Sequence, residues 1–236
     1  MELPTKTSTD KVRRRDPERT KAEILEVAMS EFAEHGFAGA RVDEIASITS
    51  TTKRMIYYYF ESKEGLYLGV LEAAYESIRR LEQTLDVAGL HPVEALRKLA
   101  ESTYDHHTKH ADFIRLVAIE NVHKAKYIKN SETINKLNST AIGTLEGILQ
   151  RGVAIGVFRT DVDALDVHMM ISSYCVFQVA NRYTFQTLFG RDLLAPDRHA
   201  HYRRLAGDCI VAAVTASAPR GPRFAAPDGR ECVNDQ

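Results

Sequence analysis

Apolar residues recur along the chain at three- and four-residue spacing, and no sustained alternation of apolar and polar positions interrupts that period, so the pattern predicts an all-α protein. Asp16 followed by Pro17 marks a helix start, a capping side chain before a residue with preset φ. Ile24, Leu25, Ala28, Phe32 and Ala33 form the apolar face of that helix, and Gly36 ends it as a left-handed cap. Short helices are predicted at about 41–48 and 52–60. Ser62 caps a fourth, whose apolar positions Leu66, Val70, Leu71, Ala74, Ile78, Leu81 and Leu85 continue until Gly89. His91 and Pro92 restart the chain, and further helices are predicted near 93–108, 111–126, 131–151, 162–189 and 196–217. Helices are short before Glu61 and long after it. The pattern therefore divides the chain into an N-terminal three-helix domain, 16–61, and a helical bundle, 62–218. Residues 1–15 read as a flexible basic arm, and 219–236, rich in Pro, Gly, Arg and Asp, as a disordered tail.

Composition narrows the class. A chain of 236 residues that is 44% hydrophobic and 27% charged is neither fibrous nor disordered in bulk. Its longest apolar-rich stretch, Val167 to Ala180, is broken by His168, Ser172, Ser173 and Gln178 and is shorter than the roughly 20 residues a bilayer demands. The polar start lacks the apolar core of a secretory signal, and Cys175, Cys209 and Cys232 show no CxxC spacing. A cytoplasmic, reduced protein with no membrane association is expected. The net charge of −1 carries no general nucleic-acid signature, so any such contact must be local. Lys11, Arg13, Arg14 and Arg15 supply four cations in five residues just before the first helix, the form of a phosphate-seeking arm.

The segment Arg41 to Phe60 is the informative one. Val42, Ile45 and Ala46 make one apolar helical face, Thr49 and Ser50 break it, and Ile56 and Phe60 anchor a second helix, which together spell a helix-turn-helix. With Ile56 and Phe60 on the core side, a step of about 100° per residue puts Arg54 and Tyr58 almost opposite, flanked by Met55 and Tyr57. Lys53 sits nearer the packed face at the exposed N-terminal end. An Arg there can bind guanine O6 and N7 together, and Met or a Tyr ring can touch a thymine methyl. Tyr59 and Lys63 point more laterally, towards phosphate oxygens, and the helix start at Thr52 adds a favourable dipole.

Ile24-Leu25 to Gly36-Phe37, then Val42-x-x-Ile45-Ala46, then Ile56-Tyr57-Tyr58-Tyr59-Phe60-x-Ser62-Lys63-Glu64-x-Leu66 resembles the N-terminal DNA-binding domain of the tetracycline-repressor (TetR) family over about residues 17 to 70. By that resemblance Lys53, Arg54, Met55, Tyr57 and Tyr58 match base-facing positions, and Thr52, Tyr59 and Lys63 match backbone contacts. Arg41, at the start of the second helix, joins the DNA-facing set. Two departures stand out. Thr49-Ser50 replaces the usual Ala-Gly of the turn, so a left-handed Ser50 would be mildly strained. A long cation, Arg54, replaces a small residue, which suggests a half-site containing G.

The resemblance further implies a helical effector-binding and dimerisation domain, with the last two long helices forming the dimer seam. The residues agree: 165–180 is apolar nearly all round, and Leu205, Cys209, Ile210, Ala213 and Val214 form a second stripe. A charge at Ile210 would then be expected to dissociate the dimer. Polar groups interleaved with aromatics mark a candidate effector pocket between the fourth, fifth, sixth and eighth helices. His107, Phe113, Arg115, His123, Tyr174, Phe177, Asn181 and Arg182 are its expected residues, with Arg115 or Arg182 pairing an acidic ligand. No cofactor is expected, and no metal site, because His106, His107 and His110 have no carboxylate at matching spacing. GxSxG, P-loop, Rossmann and HExxH patterns are absent, so the chain does not read as an enzyme. The expected function is a homodimeric transcriptional repressor on a palindromic operator in double-stranded DNA, nucleoid-associated in a bacterial cytoplasm, and released by a small molecule. A constitutive architectural DNA-binding protein is the alternative, and an all-helical enzyme the more remote one.

Overall fold

The computed structural model describes residues 16–216, so the basic arm at 1–15 and the tail at 219–236 lie outside the described residues. Ten α-helices carry the fold: α1 Pro17–Gly39, α2 Val42–Ile48, α3 Lys53–Phe60, α4 Lys63–Thr84, α5 Pro92–Lys109, α6 Ala111–Val122, α7 Glu132–Ala154, α8 Ala164–Ala180, α9 Arg182–Phe189 and α10 His199–Val214. Between them lie 3-10 turns at Ile128–Asn130 and Pro196–Arg198, and one isolated bridge joins Phe158 to Thr215. No helix among the described residues is long and apolar enough to cross a membrane.

Helices α1, α2 and α3 form a head. Asp16 caps α1 by accepting from the Glu18 N–H at 3.1 Å. The regular helix stops at Gly36, whose φ of 67° is positive as expected but whose ψ of 174° is extended, so it is not the expected left-handed helical cap, and a further short turn carries the chain to Gly39. Thr52 caps α3 through the Met55 N–H, and Ser62 caps α4 through the Gly65 N–H at 3.0 Å. Gly65 is required by close approach, since a Cβ there would lie 2.0 Å from the Phe60 carbonyl oxygen. That approach docks the first turn of α4 onto the end of α3.

The head's apolar centre is Ile24, Ala28 and Phe32 of α1, Val42 and Ile45 of α2, Ile56 and Phe60 of α3, and Leu66, Tyr67 and Val70 of α4. Leu116 of α6 and Ile134 of α7 are buried in the same cluster. The aromatic rings of Phe37, Tyr67 and Tyr127 close the joint: Phe37 and Tyr127 lie 4.8 Å apart by ring centroids, and Tyr67 and Tyr127 lie 5.0 Å apart. The body's own centre lies among α5, α7, α8 and α10, with Leu96, Tyr104, Leu145, Val167, Ile171, Cys175 and Ile210 buried.

Several boundaries depart from expectation. Helix α4 ends at Thr84, before Leu85, and α6 ends at Val122 instead of continuing to 126. Lys124 and Ala125 take positive φ because the chain turns back there, and the buried Glu120 carboxylate accepts from the Tyr127 and Ile128 N–H groups at 3.1 and 3.3 Å. The helix expected over 162–189 is two helices that break at Asn181. Neither Pro nor Gly marks that joint. The tie that follows it is tertiary, from Arg182 to Asp192 across ten residues.

Candidate DNA-reading surface and effector cavity

The turn between α2 and α3 is built from hydrogen bonds that the sequence could not show. Thr49 donates its N–H and its hydroxyl to the Ile45 carbonyl at 3.1 and 2.7 Å, and the Thr51 N–H donates to the Ala46 carbonyl at 3.0 Å. Between them Ser50 has φ of 48°, the left-handed conformation that glycine adopts without strain.

Helix α3 buries Ile56 and Phe60 and presents Thr52, Lys53, Arg54, Met55 and Tyr58 outward. Tyr58 is 76% exposed and Met55 38%. Arg54, expected opposite the anchors, is exposed. The three tyrosines separate by role: Tyr57 and Tyr59 are half-buried against the head's apolar centre, while Tyr58 stands clear of it. Lys53 ion-pairs with Asp43 at 3.0 Å, and that carboxylate raises its pKa. Arg41 is exposed ahead of α2, 3.5 Å from Glu44. Lys63 is spent locally. Its ammonium donates to the carbonyls of Ala40 and Ala38 at 2.5 and 3.4 Å and lies 5.1 Å from the Phe37 ring centre, so a phosphate contact would require it to swing off the head.

At the far end of α4 a cavity of about 150 Å3 opens among α4, α5, α6, α7 and α8. Its walls are apolar, with Ile78, Leu99, Phe113, Ile114, Leu145 and Ile171 prominent, and its polar groups are Tyr75, Arg79, Glu82, Thr103, His107, Thr144, His168 and Ser172. Arg79 is 5% exposed. It donates through Nη1 to Glu82 Oε2 at 2.5 Å and through Nη2 to Asn138 Oδ1 at 3.3 Å, while its buried Nε has no hydrogen-bond partner. Burial dominates the titration of the groups around it. It raises the Glu82 carboxyl pKa although Arg79 pulls the other way. It lowers His107 to about 3, His106 to about 4, and His168 in the same direction, so these imidazoles are neutral near pH 7.

A cavity lies where helices four, five, six and eight meet, with α7 added, and its lining differs from the residues expected for an effector pocket. His107 and Phe113 line the cavity. Tyr174 and Phe177 line a separate groove of the body beside Leu205 and Cys209, where the Tyr174 hydroxyl donates to the Tyr202 carbonyl at 3.1 Å. Asn181 sits at the α8–α9 joint. Arg182 is held by the Asp192 carboxylate with two bonds of 2.8 and 2.7 Å, and Arg115 by Asp112 at 3.0 Å and the Tyr183 hydroxyl at 3.2 Å. His123 is exposed at the end of α6. None of these four lines the cavity. Sequence reasoning missed Arg79, Glu82 and His168. Arg79 falls on the α4 stripe, one residue beyond Ile78, and that position was the signal that could have found it.

The outer face of the body is apolar as well. Leu165, Met169 and Phe177 of α8 are 63, 60 and 47% exposed, and Leu205 of α10 is 36% exposed. Ile210, chosen as a seam residue, is 4% exposed and belongs to the body's own centre, because α10 turns that side of its stripe inward. Val214 is likewise buried. No group of three or more His, Cys, Asp or Glu residues suited to a metal ion occurs among the described residues.

Comparison with known proteins matches both parts of the chain. The sequence pattern of bacterial regulatory proteins of the tetR family fits residues 24–70, and that of the tetracyclin repressor-like C-terminal domain fits residues 92–210. The transcriptional repressor NicS of Pseudomonas putida is 34% identical over 200 residues, which cover 85% of this chain and 94% of that one. The transcriptional repressor AcnR of Corynebacterium glutamicum is 28% identical over 159 residues, 66% of this chain and 78% of its own. Among solved structures, SCO4942 of Streptomyces coelicolor superposes with a TM-score of 0.63 at 26% identity over 83% of this chain and 98% of that one. The ketosteroid regulator KstR2 of Mycobacterium tuberculosis gives 0.63 at 20% identity, 84% of this chain and 95% of its own, and so shares the fold. With its exposed recognition helix and the helical body behind it, the chain belongs to the TetR family of bacterial regulatory proteins, DNA-binding repressors of transcription.

Proposed function

We propose that this repressor acts as a homodimer on a palindromic operator and leaves it when a small molecule fills the cavity beneath α4. The observation that carries the reading is the continuity of α4. It starts at the Ser62 cap, where Gly65 abuts the end of the recognition helix, and 17 residues later, about 26 Å along its axis at ~1.5 Å per residue, it lines the cavity with Arg79. A ligand that favours one tilt of α4 changes the spacing of two heads in a dimer, and only such a differential interaction can shift binding. Helix α8, with Leu165, Met169 and Phe177 exposed, and α10, with Leu205, supply the apolar face for the dimer. Arg54, Met55 and Tyr58 read bases, with Lys53 and Tyr57 beside them. Thr52, Tyr59, Arg41 and the basic arm support phosphate contacts, and Lys63 joins them once released from its carbonyls. The setting is the bacterial cytoplasm, at the nucleoid.

Footprinting on the DNA upstream of its own gene tests this. Two protected half-sites about one helical turn apart, roughly 34 to 36 Å or slightly more, are expected, with a dimer by sedimentation at micromolar concentration. Protection without a discrete footprint would instead favour an architectural DNA-binding protein.

A further inference from the structure

We infer that the cavity beneath α4 takes a single-ring carboxylic acid, with the carboxylate on the Nε edge of Arg79 and the ring between Phe113 and the aliphatic walls. This deepens the effector reading of that cavity and rests on it.

Size sets the first limit. A dry cavity of about 150 Å3 lined by Leu, Ile and Phe holds one benzene, and this one is of that volume with Ile78, Leu99, Phe113, Ile114, Leu145 and Ile171 in its walls. Tyr75 and Phe113 meet edge to face in its lining, 5.2 Å between ring centres, so the wall offers aromatic surface to a ligand ring.

Charge chemistry sets the second. A guanidinium carries its donors in a planar fork, and each buried donor left without an acceptor costs free energy. Arg79 uses Nη1 on Glu82 and Nη2 on Asn138, and its Nε–H has no acceptor among the described residues. A carboxylate is the group whose two oxygens match the Nε edge of that fork. The other titratable groups facing the site are Tyr75 and Glu82 from α4, His107 from α5 with His106 beside it, and His168 from α8, while the residues lining it from α6 and α7 carry no charge. The neutral imidazoles offer no competing cation, so Arg79 is the only cation among the described residues of the lining. Glu82 is the competing anion. Burial already raises its pKa, so a proton on Glu82 can free the guanidinium for the incoming acid.

The test uses the full chain with benzoate and its uncharged isostere benzamide, read by isothermal titration calorimetry and thermal shift. Benzoate should bind about tenfold or more tightly than benzamide, since a charge-assisted pair replaces a neutral bond. Glu82→Gln should tighten benzoate. The double substitution Arg79→Met with Glu82→Gln removes the pair together, leaves no lone buried charge, and should abolish benzoate binding while the circular dichroism spectrum stays that of the folded parent. Equal binding of the two compounds, failure of both to bind, or benzoate binding that survives the double substitution would overturn the inference. If both compounds bind equally and release the operator, the effector cavity stands and the ligand class is wrong. Arg79-dependent benzoate binding that leaves operator affinity unchanged would instead uphold the ligand class and remove the effector reading.

Discussion

Arg54 and Arg79 stand at the two ends of one rigid unit, α3 docked onto α4, and the protein uses them in opposite ways. Arg54 faces solvent on a short helix whose far side is anchored by Ile56 and Phe60, while Arg79 is 5% exposed and paired with Glu82. The same contrast holds for tyrosine: Tyr58 is 76% exposed and Tyr104 fully buried. The head leaves such groups uncovered, and the body encloses them. An exposed cation keeps its hydration until a partner replaces it, whereas a buried one needs its partner within the fold.

The outer face of α8 and α10 offers the most severe test of that contrast, since Leu165, Met169, Phe177 and Leu205 face out there. Met169→Glu with Phe177→Glu should convert the dimer to a well-folded monomer by sedimentation and weaken operator binding by about 100-fold or more, as isolated charges in an apolar interface do. Ile210→Glu should behave differently and unfold the body, because that side chain is only 4% exposed. Unfolding by the outer pair would show those residues to belong to the protomer's own core.

Acid should then separate body from head. Burial lowers the His107 pKa from 6.5 to about 3. The unfolded chain ionises that ring near 6.5, so the stability it contributes is complete above that pH and is lost as the pH falls from there towards 3, by about 1.4 kcal/mol per pH unit. Urea unfolding at successive pH values should show this slope, and His107→Gln should remove one proton's share of it. A flat profile in the parent protein would contradict a neutral, enclosed imidazole.

Within the head, Arg54→Ala should cost about 1 to 3 kcal/mol of operator affinity and relax preference at one base pair, with no change in thermal stability. Lys63→Ala should lower stability by about 1 kcal/mol through the lost Ala40 and Ala38 carbonyl bonds, and weaken all DNA sequences alike. If Lys63→Ala leaves stability intact, the lysine belongs to the DNA rather than to the head. The smallest effect concerns the turn: Ser50→Gly removes a side chain at φ 48° and should stabilise by about 1 kcal/mol without altering operator affinity.

The contrast also explains what the sequence made legible. Helix starts could be read because caps are local: Asp16, Thr52 and Ser62 each accept from a backbone N–H two or three residues onward. The outward face of α3 could be read because one helix and two anchors fix it. The cavity lining could not. Periodicity identifies an apolar stripe on α4 but not which neighbours cover its edges, among them Asn138 of α7, which accepts from Arg79. Tyr174 and Phe177 have the composition of pocket residues, yet the tertiary path of α8 turns them towards the groove beside α10. The break at Asn181 was hidden for a similar reason, since the Arg182 to Asp192 pair joins residues that no helical period relates.

The joint at Phe37, Tyr67 and Tyr127 bears on how such proteins can be recombined. Because Leu116 and Ile134 of the body complete the apolar centre of the head, residues 16–61 do not carry all of their own core. Grafting that segment alone onto a foreign body would leave Phe37 without the Tyr67 and Tyr127 rings it packs against. The exchangeable module is therefore larger than the helix-turn-helix: it includes α4, the Leu116 side of α6 and the loop through Tyr127, and a chimera that respects this boundary should melt in one cooperative step, as the parent chain should.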